Sequence, residues 1–492
     1  MSLADLTLLG ARPELLRELG RALRGLGVSL QAASPVVQAA AQLPPALRRP
    51  IQAYHLRRSA TPSATALRMF MFADPVTLDE AQAALGARLP ALLEVGLVTA
   101  RPEGLVSPFV LGVLDDLYIL SDDLSSGREA VMGFGETTTL LCRAAFGGAP
   151  VERVLDLGCG AGTAALFLRR HAPRVVATDV SPRAAALTRA NAALNGIADV
   201  DVRVGDLFAP VAGERFDLIV SQPPFVPRPE GVGATDFLYG GARGDELSLA
   251  LLGAVEAHLA PRGRAVLFVE WPEHGDEPLE ARLRRALGPG PNLLVVRAPD
   301  HRVDTQAALY AAGLHPGLGT AYVEDALARC SHFERQGIRA VVPTVIVVER
   351  AGEAPGWTSV VRSLGFDEVR LDAGRIDKLL EARAVAGHRE RLRAAKLRMP
   401  AGTVLAQEQL GPGADVPATL CARFAPEALI GRVELTLELL GLLTAVHEAE
   451  SVSDGIAAFA ELCDKPLAEA TATATPAVVQ ALLGGLLEVA DG

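Results

Sequence analysis

Cysteine is scarce in this chain, with five residues in 492, at Cys142, Cys159, Cys330, Cys421 and Cys463, and no CxxC pair anywhere. Their odd number and scatter exclude a complete set of intrachain disulfides and argue against a zinc site, so no metal is expected. Charge is modest too: 21% of residues are charged and half are hydrophobic, which excludes extended disorder. No apolar run reaches the roughly 20 residues that a bilayer-spanning helix needs. The opening residues, MSLADLTLLGARPELLRELG, lack the cationic cap, apolar stretch and small-residue cleavage site of a secretory signal. A cytoplasmic protein is expected.

The length of 492 residues is too great for one core and predicts two to four domains. The net charge of −11 speaks against a surface that binds polyanions all over. Residues 1–70 run against that balance, with nine arginines and only Asp5, Glu14 and Glu18 as acids. This basic island is a candidate nucleic-acid contact.

Three regions follow from the pattern along the chain. Residues 1–125 read as an accessory domain: short helices from Ala11 to Ala41 with breaks at Gly20, Gly25 and Gly27, an apolar run Leu67 to Phe72, and a helix start at Asp74-Pro75. Two strands, Leu93 to Val98 and Gly104 to Leu111, around a turn at Pro102-Glu103-Gly104 complete a winged-helix-like order. Residues 126–355 alternate short apolar strands with helices, as a parallel sheet with crossover helices does. Seven strands are predicted, at 153–157, 174–178, 201–204, 216–221, 264–270, 292–297 and 341–349. Residues 356–492 read as a mostly helical accessory domain, with an arginine-rich helix over 376–398 and helices over 435–489.

The segment Val154-Leu-Asp-Leu-Gly-Cys-Gly-Ala-Gly-Thr163 runs from an apolar strand through a glycine-rich turn into a helix. Without Cβ atoms, Gly158, Gly160 and Gly162 let the backbone turn sharply and a ligand approach it. Dinucleotide enzymes use similar spacing, so the turn alone establishes only a nucleotide-like ligand. Carboxylates at the next two strand ends narrow the choice, because ligands of open α/β sheets lie beyond the strands' carboxyl ends. Asp179 can accept hydrogen bonds from both ribose hydroxyls. Asp206 can accept from an adenine amino group, with Leu207 and Phe208 flanking the ring. Each acid also has a plainer reading, Asp179 as a cap of the helix begun at Ser181-Pro182 and Asp206 as a turn former.

The fourth strand ends in Asp217-Leu-Ile-Val-Ser-Gln-Pro-Pro-Phe225. Two prolines fix φ and remove two amide donors, so the chain leaves the sheet as a stiff loop with free carbonyls. Those carbonyls and the Gln222 amide oxygen can accept from a substrate N–H, and Phe225 can stack on a planar group. Holding a nitrogen lone pair in line with a methyl donor is work of position and dipole, and it requires no nucleophilic side chain.

With D-L-G-C-G-A-G-T, T-D-V-S, G-D-L-F and F-D-L-I-V-S-Q-P-P-F in hand, residues 151–225 resemble the class I methyltransferases of the small-domain group. That group includes release-factor glutamine and ribosomal-RNA guanine methyltransferases. The resemblance implies a seven-stranded Rossmann-like α/β sheet and S-adenosyl-L-methionine as cofactor. It implies cofactor contacts from Asp156, Gly158, Cys159, Gly160, Gly162, Thr163, Asp179, Val180, Ser181, Asp206, Leu207, Phe208 and Ser221. Gln222, Pro223, Pro224 and Phe225 would face the acceptor as the catalytic loop. Gly133-Phe-Gly-Glu-Thr-Thr-Thr139 is similar to the group's cofactor lid, which adds Glu136 and Thr137, and residues 238–245 are similar to its glycine-rich segment after the proline pair. Gln222 departs from the group's usual Asn or Asp, moving the amide outward by about one carbon–carbon bond.

N-methylation of a protein, peptide, nucleic acid or metabolite is the leading expectation. Small-molecule tailoring by N-, O- or C-methylation is a second, and a non-catalytic module that recruits a partner is a third. His301 and His332 read as surface or capping residues in loops, and the arginine run 389–398 as a solvated helix face.

Overall fold

The computed structural model describes residues 5–43, 45–123, 127, 129–146, 151–232, 237–275, 277–315, 317–351, 356–363, 371–408, 419–424 and 432–490. The expected boundaries at 125/126 and 355/356 fall at or beside residues outside this set.

The N-terminal part is built from α1 (Thr7–Gly10), α2 (Pro13–Gly25), α3 (Leu30–Ala39), α4 (Pro45–Arg57), α5 (Pro62–Ala66), α6 (Leu78–Leu85) and α7 (Leu89–Glu94). Two antiparallel hairpins follow, β1 (Thr99–Arg101) with β2 (Gly104–Val106), and β3 (Phe109–Leu114) with β4 (Leu117–Asp122). Three local readings are corrected. Gly20 does not break a helix: α2 runs through it, and a Cβ there would lie 1.9 Å from the Leu194 carbonyl oxygen, so this glycine makes room for a neighbouring helix. Asp74 starts no helix. It is buried against Arg68 and Arg57, and Thr77 with Glu80 forms the capping box of α6. Leu93 to Val98 is not a strand but the end of α7 and the turn after it, because Leu92, Val95 and Leu97 are all drawn into the core and period two is lost.

The expected seven-stranded α/β sheet is present. Its parallel strands are β5 (Arg153–Leu157), β6 (Arg174–Asp179), β7 (Val200–Val204), β8 (Phe216–Ser221) and, after the short β9 (Val226–Pro227) and β10 (Tyr239–Gly241), β11 (Leu259–His274). β12 (Asn292–Arg297), β13 (His301–Arg302), β14 (Ile338–Glu349) and β15 (Thr358–Arg362) complete a nine-stranded sheet. The order is β15-β12-β14-β11-β8-β5-β6-β7, with β13 beside β14, and β14 is antiparallel to both its neighbours. Strand β15 lies beyond the expected seven and past residue 355. As an edge strand with only alternate residues buried, it carries too weak an apolar signal to read from sequence.

Helices cover both faces: α8 (Glu136–Ala145), α9 (Thr163–Leu168), α10 (Pro182–Leu194), α11 (Glu246–Val255), α12 (Leu279–Leu287), α13 (Val303–Leu314) and α14 (Thr320–Arg335). Burial on both sides explains the near-continuous apolar strands. In β11, Val266 and Phe268 enter the core shared with α8, while Ala265, Leu267 and Val269 enter the opposite one.

The C-terminal part begins with α15 (Ala373–Ala386), whose Ile376, Leu379 and Leu380 pack in the sheet's own core while Ala382 and Val385 join the next. It continues with α16 (Arg389–Ala394), β16 (Leu397–Arg398), β17 (Val404–Glu408), β18 (Thr419–Arg423), β19 (Arg432–Leu435), α17 (Leu437–Glu448), α18 (Val452–Leu462), α19 (Leu467–Leu483) and β20 (Glu488–Val489). The expectation of a mostly helical unit therefore omitted a three-stranded antiparallel sheet, β17-β18-β19. Its strands are four or five residues long, too short to declare a period.

Helix α10 joins the N-terminal part to the sheet through buried amides. Asn191, fully buried, donates to the Leu120 and Ala161 carbonyl oxygens at 2.8 and 2.9 Å and accepts from the Leu120 amide at 2.8 Å. One turn on, Asn195 exchanges hydrogen bonds with the backbone of Tyr118. Replacing Asn191 by Ala orphans three backbone groups and is expected to cost about 2 kcal/mol or more. Hydrogen exchange at the Leu120 amide would then speed up roughly thirtyfold or more. Unchanged protection there would show that the amide is not what holds the hairpin.

Candidate active site

Sheet register brings the chemistry-bearing residues to one edge. Leu157 is level with Thr178 on one side and Ser221 on the other, and Asp179 is level with Val204. The chain enters the sheet at β5, works outward to β7 and returns through β8 on the other side of β5, so a crevice opens between the carboxyl ends of β5 and β8. A cavity of about 250 Å³ occupies it, lined by the glycine-rich turn, residues 178–181, 205–207 and 221–226, and the upstream segment 129–134.

The glycines divide the work. Gly158 and Gly160 have φ of 77° and 53°, and a Cβ on either would meet only open space. Their role is the left-handed backbone that presents the turn to the cavity. Gly162, with φ 83°, is pressed against Thr188 of α10, where a Cβ would lie 2.7 Å from the threonine methyl. It serves packing and does not line the cavity. The amides of Gly158 and Cys159 both donate to the Thr178 carbonyl oxygen, at 2.8 and 2.9 Å.

Asp179 braces the backbone on both sides of the crevice. One carboxylate oxygen accepts from the Gly160 amide at 2.9 Å and the other from Ser181 at 2.8 Å, while Ser181 caps α10. Asp179 lines the cavity. Asp206 is exposed at the rim, and Leu207 lines the cavity in a left-handed conformation, φ 42°. Phe208 departs from expectation. It is buried with its ring stacked on His258, centroids 4.3 Å apart, and it does not line the cavity. Both side chains pack in the same core, Phe208 within it and Leu207 at its edge toward the cavity.

The double-proline rim is built more tightly than its sequence indicates. The Gln222 amide is clasped by the first turn of α8: Nε2 donates to Thr137 Oγ1 and Oε1 accepts from Thr138 Oγ1, both at 2.9 Å. The extra methylene of Gln222 is taken up by this clamp. Thr138, which the sequence reading did not single out, lines the cavity, whereas Thr137 and Glu136 do not; Glu136 stands exposed at the start of α8. Ser221 donates to the Leu157 carbonyl oxygen at 2.7 Å, tying β8 to β5. Pro223, Pro224 and Phe225 all line the cavity, as do Asp156, Cys159, Thr163, Val180 and Ser181.

Residues 238–245 back this loop. β10 pairs in parallel with β9, directly after Phe225. A Cβ on Gly240 would fall 2.5 Å from the Pro224 carbonyl oxygen, so only glycine permits this approach. From α14, Arg329 donates to the Tyr239 hydroxyl at 2.9 Å, and His332 Nε2 lies 2.7 Å from the Ala242 carbonyl oxygen. Both are fully buried. His332, expected on the surface in a loop, is thus a core residue of a helix; its partner is 90 positions away in sequence, beyond any local signal. His301 lies in β13, exposed, with Nδ1 3.2 Å from Gln306 Oε1.

Asp156 is buried and accepts from the Ala165 amide at 2.8 Å, holding the start of α9. Burial pushes its carboxyl up to about 7; the Ala165 hydrogen bond opposes the rise and the nearby Asp179 charge adds to it. An acid raised in the folded state binds its proton more tightly there than when unfolded. Its contribution to stability is complete below pH 3.8 and is lost as pH climbs to about 7. Asp156→Asn keeps an acceptor for Ala165 without the charge. The unfolding free energy of Asp156→Asn relative to the parent should rise steadily across that window, by on the order of 1 kcal/mol per pH unit. A gap independent of pH in scanning calorimetry would contradict the assignment.

Comparison with known proteins adds an independent line. The methyltransferase small domain family matches residues 136–236. The release factor glutamine methyltransferase of Deinococcus radiodurans is 39% identical over 144 residues, covering 27% of this chain and 50% of that protein. That of Cereibacter sphaeroides is 38% identical over 132 residues, 24% of this chain and 47% of its own. Ribosomal RNA small subunit methyltransferase C of Salmonella arizonae is 48% identical over 75 residues, 15% of this chain and 21% of that protein. The chain therefore spans about half the length, or less, of these relatives. The matched residues hold the glycine-rich turn, the acids of the crevice and the double-proline rim that the sheet brings to one cavity, so the similarity to the methyltransferase small domain family falls on the site itself.

Proposed function

We propose that this chain is an S-adenosylmethionine-dependent methyltransferase that methylates a nitrogen, with an amide nitrogen of a protein or peptide as the leading acceptor. The observation that carries this reading is the single cavity with the glycine turn and Asp179 on one wall and Gln222-Pro-Pro-Phe225 on another.

The residues present fit the cofactor. Two glycines face open space, Asp179 lines the wall beside them, and the Thr178 hydroxyl is buried in the wall without a hydrogen-bond partner among the described residues. Asp179 would hold the ribose, Val180 and Leu207 would flank the adenine, Asp206 would meet its amino group at the rim, and the turn 158–163 would take the methionine portion. When bound, S-adenosylmethionine supplies a sulfonium methyl group of high electrophilicity.

The rest is done by position. Thr137 and Thr138 hold the Gln222 amide in one place, so it can receive an acceptor N–H without first losing rotamer freedom. The proline pair keeps the adjoining carbonyls aimed outward, and Phe225 offers a face to a planar amide or base.

Of the nine arginines in residues 1–70, Arg12, Arg17, Arg49, Arg57 and Arg68 are paired with Glu94, Glu14, Asp123, Asp74, and Asp74 with Glu80, respectively. Only Arg68 of these is buried, so the basic island keeps its place at the surface with part of its charge neutralised. A nucleic-acid acceptor is the second reading, supported by the ribosomal RNA relative's closer match over its shorter span.

Calorimetry with S-adenosylmethionine should show saturable binding that Asp179→Ala weakens at least about a hundredfold, the loss of two charge-assisted hydrogen bonds. An intact protein that takes up none of this compound would refute the cofactor assignment. Gln222→Ala should leave that affinity unchanged while transfer of labelled methyl into the protein fraction of a cell extract falls at least about a hundredfold. Label that appears in RNA instead would select the second reading.

A further inference from the structure

A half-buried carboxylate outside the cavity lining stands at the same edge of the sheet. β11 runs parallel to β8 with Leu267 level with Ser221, so Glu270 lies three residues beyond that level, at the height of residues 222–225. Side chains alternate along a strand, which puts Glu270 on the face of Phe268. That face is the one α8 covers, since Leu141 and Cys142 share a core with Phe268. It is also the face on which Thr137 and Thr138 clasp Gln222. The Phe225 ring meets the Phe268 ring edge-on, centroids 6.3 Å apart. Glu270 is thus the next side chain outward from the aromatic pair that floors the acceptor rim.

The carboxylate is oriented in a particular way. One oxygen, Oε2, accepts both from the Tyr310 hydroxyl and from Gln306 Nε2, the latter at 2.7 Å. The other oxygen has no hydrogen-bond partner among the described residues, and it is not among the buried atoms left unsatisfied. Here α13 fixes one oxygen, and its twin reaches solvent from a strand position level with the proline rim. Gln306 in turn is held by His301 of β13.

We infer that Glu270 is an acceptor-recognition residue, whose open oxygen takes a hydrogen bond from an N–H or ammonium group of the acceptor next to the nitrogen that is methylated. Tyr310 and Gln306 are its positioning residues. This rests on the acceptor side assigned under the proposed function. It deepens that reading by requiring a second donor on the acceptor, besides the one received by Gln222 and the proline carbonyls. An ether, an ester or an isolated hydroxyl does not meet the requirement, whereas a primary amide, an amidine-like base edge or an amine does.

Glu270→Gln keeps an oxygen to accept from Tyr310 and Gln306 but loses the charge, so a structural role survives the change and recognition does not. With tritiated S-adenosylmethionine and the protein fraction of a cell extract, transfer by Glu270→Gln should fall at least about tenfold, with cofactor affinity within about twofold of the parent. The pH profile separates recognition from support. Burial raises the Glu270 carboxyl above the ordinary glutamate range, and the Tyr310 bond, the nearby His301 and the Gln306 bond oppose that rise. Arg329 of α14 lies behind Tyr310. The parent should lose transfer on the acid side as Glu270 takes up its proton, and Glu270→Gln should lack that limb. Tyr310→Phe, by removing a bond that favours the charged form, should move the limb to higher pH. Transfer by Glu270→Gln at the parent's rate, or an acid limb that neither variant alters, would overturn the inference while leaving the methyltransferase reading intact. No transfer by the parent to any fraction would remove both.

Discussion

One face of α10 holds the molecule together where it matters. Thr188, Asn191 and Asn195 stand on successive turns, and each bonds to backbone that belongs to another element: the Gly160 carbonyl, the Ala161 carbonyl with β4, and β4 with the helix's own Asn191 carbonyl. Upstream on the same helix, Arg183 pairs with the buried Asp122, whose carboxylate also receives the Val131 amide. Buried amides and ion pairs of this kind are costly unless every partner is in place. Their arrangement therefore couples the glycine-rich turn, the N-terminal hairpin and the segment 129–134 into one body. That segment is a wall of the cavity, so the ion pair from α10 to Asp122 and the Val131 bond steady part of the site from the N-terminal hairpin.

The acceptor side obeys the same logic with smaller parts. Two prolines stiffen the chain after β8, but stiffness alone sets no direction. Direction comes from behind, where glycines at 240 and 244 let a second backbone lie against the Pro224 and Phe225 carbonyls. Arg329 and His332 hold that backbone from α14, and Arg282 pairs with Asp245 at its end, within a buried site. From the other side the threonines of α8 clasp Gln222. Asn or Asp at that position would be a methylene too short for this clasp, which gives the departure from the group's usual residue a physical account.

Arginine is spent structurally throughout. Arg68, Arg282 and Arg329 are buried, each beside a carboxylate or an aromatic ring. Most of the positive excess at the N-terminus likewise closes ion pairs. A local charge count taken from sequence treats all such residues as surface, and Arg68 departs from it because a guanidinium with five donors can satisfy several acceptors at once.

Seven strands of the sheet, the glycine turn, the two strand-end acids and the double-proline loop were legible in the amino-acid sequence. Each is local: periodicity, missing Cβ atoms and locked φ angles act within a few residues of themselves. Phe208, Gly20, Gly162 and His332 were read wrongly or incompletely, and the Thr137–Thr138 clasp and Glu270 were not read at all. Their roles depend on what comes near from 20 to 170 residues away, which no local rule contains. Sequence alone therefore determined which segments could hold a nucleotide-like ligand and present a nitrogen. Tertiary structure decided which side chains of those segments face the cavity and which fill the core, because close packing allots each side chain to one place only.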